Sequence, residues 1–199
     1  MIQDSGDGSI TKTGAGTLKL GGNNSYHGGT RVRAGGLAIH NRDGSATGGG
    51  LVQVDAGILA GDGIISGAVT IGTGKGEGAL LAPSQGAGRP TILTLQSSLT
   101  LKADASYRYR LNLKKTKSDL VVANGVTIES GAQFNFQSVG RGRVRAGKVA
   151  TVLANTAATP IAGTFANLPE GSTLEAGGNT LQVSYHGGDG NDLTLTVVP

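Results

Sequence analysis

Between Thr13 and Ile39 the chain runs through three short alternating segments, Thr17-Leu18-Lys19-Leu20, Thr30-Arg31-Val32-Arg33 and Gly36-Leu37-Ala38-Ile39, separated by turns of Gly, Asn and Ser. Alternation at period two sends Leu18 and Leu20 to one side and Lys19 to the other, as on a strand. Strands this short cannot enclose a core alone, so they require further copies stacked beside them. The copies follow. Turn centres fall at Gly35, Gly57, Gly78, Asp104 and Gly131, with steps of 22, 21, 26 and 27 residues, and again at Gly177 after 46 residues, read as two units. A period in the low twenties suits one coil of a parallel β-helix; at about 4.8 Å per rung, roughly eight coils make a rod near 40 Å long.

The remaining segments fit that scheme. Leu51–Val54, Gly57–Gly61, Gly63–Ser66 and Ala68–Ile71 read as four strands with glycine corners, where tight stacking leaves no room for side chains. Gly72–Gly78 has the composition of a phosphate-cradling loop but lacks the Lys-Ser/Thr ending and a following helix, so it reads as a flexible corner. Around the Asp104 turn, Leu99, Leu101 and Ala103, then Tyr107, Tyr109, Leu111 and Leu113, face inward, leaving Arg108, Arg110, Asn112 and Lys114 to solvent. Lys114–Lys117 is an exposed loop, and Asp119 is assigned a side-chain bond to turn backbone. Val126–Ile128 and Gln133–Phe136 form another coil, Gly147–Leu153 a buried strand, and residues 162–171 a loop. The last piece, Thr180–Tyr185 turning into Leu193–Val198, reads as an antiparallel hairpin that caps an otherwise open, aggregation-prone end.

Composition narrows the class. Of 199 residues 36 are Gly, without a Gly-X-Y period, which excludes collagen. No window of ten residues has helical periodicity, and no apolar run is long enough for a transmembrane helix. The absence of Cys removes disulfides and thiolate metal sites without favouring the cytoplasm. Met1–Ser5 is not a signal peptide, and Met1 reads as the start of a piece cut from a longer chain.

The segment Lys12-Thr13-Gly14-Ala15-Gly16-Thr17-Leu18-Lys19-Leu20, then Gly22-Asn23-Asn24-Ser25-Tyr26-His27-Gly28-Gly29-Thr30-Arg31-Val32, then Ala34-Gly35-Gly36-Leu37, resembles the autotransporter-associated β-strand repeat, also called the passenger-associated transport repeat. Its pattern is roughly K-x-G-x-G-x-L-x-L-x-G-x-N-x-Y-x-G-x-T-x-V-x-x-G-x-L, and residues 12–39 follow it almost throughout, with a doubled Asn as the departure. Ser118, Asp119 and Val121 loosely resemble a step in the C-terminal region of such proteins, and residues 163–171 are similar to the segment closing many passenger stems. The resemblance implies a passenger or stalk segment of a bacterial secreted or cell-surface protein, on the outer side of an outer membrane, with repeats associated with export.

Chemistry has four candidates. Gly187-Gly188-Asp189-Gly190-Asn191-Asp192 fits one copy of the calcium-binding nonapeptide pattern, making Asp189 and Asp192 weak metal candidates against a plain hairpin turn. Parallel β-helices also host polysaccharide-degrading enzymes; Asp43, Asp55 and Asp62, with His40, are the nearest acid cluster, although Asp beside Gly is ordinary turn chemistry. His27, His40 and His186 lack metal-ligand spacing. The strongest signal is charge: Arg108, Arg110, Lys114, Lys115, Lys117, Arg141, Arg143, Arg145 and Lys148 face only Asp119 and Glu129, a window of +7 within a chain of net +4. Such a patch suits surface glycans or other anionic polymers; with no exposed aromatic residues to stack bases, nucleic acid is not expected.

The sequence therefore predicts an all-β chain, a single right-handed parallel β-helix (solenoid) with a C-terminal antiparallel β-hairpin cap. Residues 1–11 form an entry segment, 12–178 the coils (12–39 the repeat motif) and 179–199 the cap. The expected role is a non-catalytic stalk without cofactors, monomeric or in end-to-end contact. The alternatives are an adhesin module for glycans or anionic polymers, and a polysaccharide-degrading enzyme.

Overall fold

The computed structural model describes residues 6–76, 78–84, 90–112, 117–140 and 142–199. Every regular element among them is a strand. The first coil holds β1 (Ile10–Lys12) and β2 (Thr17–Leu20); the second, β3 (Thr30–Val32) and β4 (Gly36–Ile39). The third holds β5 (Val52–Val54), β6 (Gly57–Gly61) and β7 (Ile64–Ile65), and the fourth β8 (Val69–Ile71), β9 (Ala79–Leu81) and β10 (Ile92–Leu95). The fifth runs through β11 (Leu99–Leu101), β12 (Ala105–Asn112), the short β13 (Lys117–Ser118) and β14 (Leu120–Ala123). The sixth has β15 (Val126–Ile128), β16 (Gln133–Val139) and β17 (Val149–Asn155). Three strands close the chain: β18 (Thr173–Ala176), β19 (Asn179–Gly187) and β20 (Asp192–Val198).

Successive coils pair in parallel to give three faces. The first is the six-stranded sheet β1-β3-β5-β8-β11-β15; the second runs β2-β4-β6-β9-β12, with β16 on β12. The third begins β7-β10-β14-β17 and continues into the closing strands as β20-β19-β18. The protein is a parallel β-solenoid, in which four coils carry a strand on all three faces. In the first two coils the third face is irregular backbone, still joined rung to rung by Asn24 N–H to Ser45 O and Ala46 N–H to Ile64 O.

Six rungs are fewer than the eight expected, and the first face spans about 24 Å rather than 40. The difference arises after Asn155. The 46-residue step to Gly177 is not two coils: Gly177 turns β18 into β19, and β18, β19 and β20 pair antiparallel. β20 also pairs antiparallel with β17, so the expected hairpin carries one strand more.

Inward columns explain the stack. On the second face Leu18, Leu37, Leu59, Leu81, Tyr107 and Phe134 lie on successive rungs. On the first, Val32, Val54, Ile71, Leu101 and Ile128 do the same. All but the end residue Leu18 are buried, and each such aliphatic side chain contributes about 1.5–3 kcal/mol. Toward the C-terminus the core turns aromatic. Phe134 lies 5.9 Å from both Tyr107 and Tyr109, 5.4 Å from Phe165 and 6.5 Å from Phe136 between ring centroids. These larger side chains fill the wider last coils.

Candidate functional site

The motif segment 12–39 is built to join one coil to the next. Lys12 Nζ donates to the carbonyls of Thr13 and Gly14 at 2.7 Å and of Ala34, one coil on, at 3.1 Å. Asn24 Nδ2 donates to Ala46 O at 2.6 Å, again across a rung. Tyr26 is buried, its hydroxyl 2.6 Å from Thr30 Oγ1, and burial raises the phenol's pKa. The pattern's polar positions are thus spent on the stack, while Leu18, Leu20, Val32 and Leu37 supply its core.

The glycine-rich loop after β8 is pinned rather than loose. Asp104 Oδ1 accepts N–H bonds from Thr73 at 3.0 Å and Gly74 at 2.7 Å, and Oδ2 accepts from Gly76 at 2.7 Å and from the Thr73 hydroxyl at 3.1 Å. Backbone amides converging this way form an anion nest. Its anion is internal, so the phosphate-cradle composition marks a site that Asp104 already fills. Burial pushes the Asp104 pKa up, but the bonds from Gly74, Gly76 and Thr73 outweigh it and hold the carboxyl below its ordinary value.

Asp119 is fully buried. It accepts the Ser84 hydroxyl at 2.5 Å and the Thr91 N–H at 3.1 Å, so its side chain holds the backbone at the entry to β10. Tyr107, beside it, donates to Val152 O at 3.0 Å, and burial raises the pKa of Tyr107 and Tyr109, with Asp119 adding to both.

The acids weighed for catalysis are separated. Asp55 pairs with Arg31 at 2.5 Å before β6, and Asp62 lies 2.7 Å from His40 Nδ1 after it. The five residues of β6 stand between the two acids and span about 13 Å, beyond the span of about 5–9.5 Å of a glycosidase pair. Asp43 contributes only its backbone carbonyl, to Asn41 Nδ2.

In the closing turn Asp192 accepts the Asn155 N–H at 2.8 Å, tying β20 to the end of β17; Asp189 is exposed. Burial raises the Asp192 pKa, the Asn155 bond opposes this, and Asp189 adds to it. Among the described residues no three His, Asp or Glu side chains gather into a metal-binding group.

Of the basic residues, Arg108 and Arg110 point outward from β12, in register with Asn135 and Gln137 of β16, and Lys117 on β13 lies opposite Asn112. Arg143 and Arg145 are exposed on the loop after β16, which Asn179 pins to the closing strands by accepting from Val144 N–H and donating to Gly142 O. Lys114, Lys115 and Arg141 lie outside the described residues, as does Leu113.

A groove of about 620 Å3 lies on the outer side of the first face. Arg31, Arg33, Gln53, Asp55, Thr73 and Lys102 line it, with half-exposed Leu51 at its edge. Lys102 is bridged to Glu129 at 2.6 Å. The only sequence signal was outward alternation on β3 and β5; bringing Lys102 to the same groove required the register.

Residues 10–39 match the family model described as the passenger-associated-transport-repeat. Two curated relatives share part of the chain. An extracellular serine protease of Serratia marcescens is 46% identical over 79 residues, 36% of this chain and 7% of that protein. The adhesin BmaC autotransporter of Brucella suis biovar 1 (strain 1330) is 46% identical over 71 residues, 35% of this chain and 2% of that protein. The chain thus spans a small fraction of either relative's length. Among the described residues no helix is long and apolar enough to cross a membrane.

Proposed function

We propose that this chain is a non-catalytic stalk segment from the passenger of a bacterial secreted or cell-surface protein, and that its C-terminal coils assist export by folding first. The observation that carries this reading is the use of the repeat motif: Lys12, Asn24, Tyr26 and Thr30 all bond within the stack. Passenger-repeat similarity and relatives named an autotransporter adhesin and an extracellular protease support the setting. Physically, the aromatic coils and the antiparallel strands on β17 form a stable end, and a folded end outside the membrane opposes back-sliding of the chain still in transit.

The test is an export assay with this segment in its parent protein. Val152→Asp, in the C-terminal core, is expected to lower the amount of passenger at the surface at least fivefold, whereas Val52→Asp, in the third coil, changes it less than twofold. Equal effects from both, or none from either, would overturn the export role.

A second reading, an adhesin module, is favoured by the groove beside Arg31, Arg33 and Lys102, whose size suits a short anionic glycan. Glycan-array binding lost in Arg33→Glu supports it; an empty array removes it. Calcium at Asp189 and Asp192 remains a distinct proposal: calorimetric titration showing calcium affinity that disappears in Asp192→Ala supports it, and a flat titration removes it.

A further inference from the structure

At the C-terminal end of the solenoid each sheet meets different cover. β15 is closed by Ala162, which bonds both Val126 O and Ile128 N–H. β17 is covered by β20. β16 is covered only where it starts: Ala166 N–H reaches Ala132 O, and the Asn167 side chain clamps both N–H and C=O of Phe134 at 2.8 and 2.9 Å. In a parallel ladder, alternate residues turn both backbone groups to the same side. The residues in step with Phe134 are Phe136 and Ser138, so their N–H and C=O groups point away from β12. Among the described residues β12 is the only strand partner of β16, and Phe136 and Ser138 make no backbone bond on the far side. An edge of this kind is a template for one more strand.

The edge also says what such a strand carries. Phe136 is packed on Tyr109 and Phe134 on its inner side but remains only partly buried. An added strand would lay one side chain over Phe136, and that residue must be apolar. On the other face its side chains lie beside exposed Asn135 and Gln137, with Arg108 and Arg110 one rung behind. The chain then leaves β16 into the loop with Arg143, Arg145 and Lys148, all exposed, and no Asp or Glu occurs between Ser130 and Lys148. None of these five cations has an ion-pair partner among the described residues. The same charge opposes pairing of this edge with a second copy of itself.

We infer that the free edge of β16 over residues 135–139 is a strand-addition site for an extended segment of another protein in which acidic and apolar residues alternate. Backbone bonds to Phe136 and Ser138 supply register, the apolar side chain completes the aromatic column, and the acidic face meets the arginines.

The experiment measures binding of a fluorescein-labelled nonapeptide of alternating Glu and Val to the 199-residue chain by anisotropy. Three comparisons accompany it: the same peptide N-methylated at alternate residues on one edge or the other, a Lys–Val peptide, and the variant Ser138→Pro. Proline at 138 removes an edge N–H without removing a ladder bond to β12. The expected result is saturable binding of the Glu–Val peptide, at least tenfold weaker with Ser138→Pro and with methylation of one edge only, and absent for the Lys–Val peptide. Binding that survives both Ser138→Pro and methylation but vanishes in 0.5 M NaCl would mean charge attraction alone and would overturn the inference. So would no binding at all, equal binding of the Lys–Val peptide, or self-association of the chain that Ser138→Pro abolishes.

Discussion

At the scale of single residues, stacking converts small chemical differences into large ones. Gly57 sits at φ +96°, and a Cβ there would lie 2.2 Å from the carbonyl oxygen of Gly35 in the coil before. Gly14, in the connection between β1 and β2 of the first coil, has φ +73°, yet a Cβ there would meet nothing within 4 Å. Gly57→Ala is therefore expected to destabilise by about 3 kcal/mol or more, adding a backbone clash to the left-handed strain, and Gly14→Ala by about 1 kcal/mol from strain alone. Urea unfolding of both variants checks the ordering; equal losses would contradict corner-on-corner stacking. Asp104 makes the second residue-scale prediction. Its folded pKa is lowered, so its contribution is full at neutral pH, above the unfolded value of about 3.9, and is lost as pH falls through the lower folded value. Asp104→Ala is expected to lower stability by about 1 kcal/mol at pH 7, a fall of about 2–4 °C in Tm, and to converge with the parent as pH falls through the lowered folded value. A constant gap across that range would show that the carboxylate charge is not what holds the loop.

At the scale of elements, period and alternation were enough to locate corners and faces. Gly35 and Gly57 contact in space because they are one coil apart in sequence, and Tyr107, Tyr109 and Leu111 point inward because β12 alternates without interruption. What alternation could not reveal was how a strand is shared. Gly177 looked like another corner because a hairpin turn and a solenoid corner use the same positive-φ glycine; only pairing partners distinguish them. Likewise the Gly72–Gly76 loop reads as flexible until Asp104, about thirty residues away in sequence, is seen beneath it. The basic patch was legible as composition but not as geometry, because loop residues such as Arg143 take their positions from a distant Asn179. The tyrosines give this level its own test. Burial raises the phenols of Tyr26, Tyr107, Tyr109 and Tyr185, the last to about 12, although the bond to Phe165 N–H opposes the shift there. Raised values mean stability that is complete below about pH 10 and is withdrawn as pH climbs toward the folded values. Absorbance near 295 nm should lag behind that of a free phenol, which titrates near about pH 10, and then rise together with loss of the β circular-dichroism signal. Ordinary titration centred at pH 10 would place the phenols in solvent.

For the whole molecule, stability is expected to be graded along the axis. A solenoid gains its energy from neighbours, and the neighbours differ: aliphatic columns in the first coils, five clustered aromatic rings and an antiparallel three-stranded extension in the last. Under the export role proposed above, such a gradient is the C-terminal-first order that the role requires. Native-state hydrogen exchange measures this directly. Greatest protection is expected in β12, β14, β17 and β20, with opening free energies declining coil by coil toward β1 and β2. Uniform protection from end to end, or a maximum in β3 to β6, would contradict it.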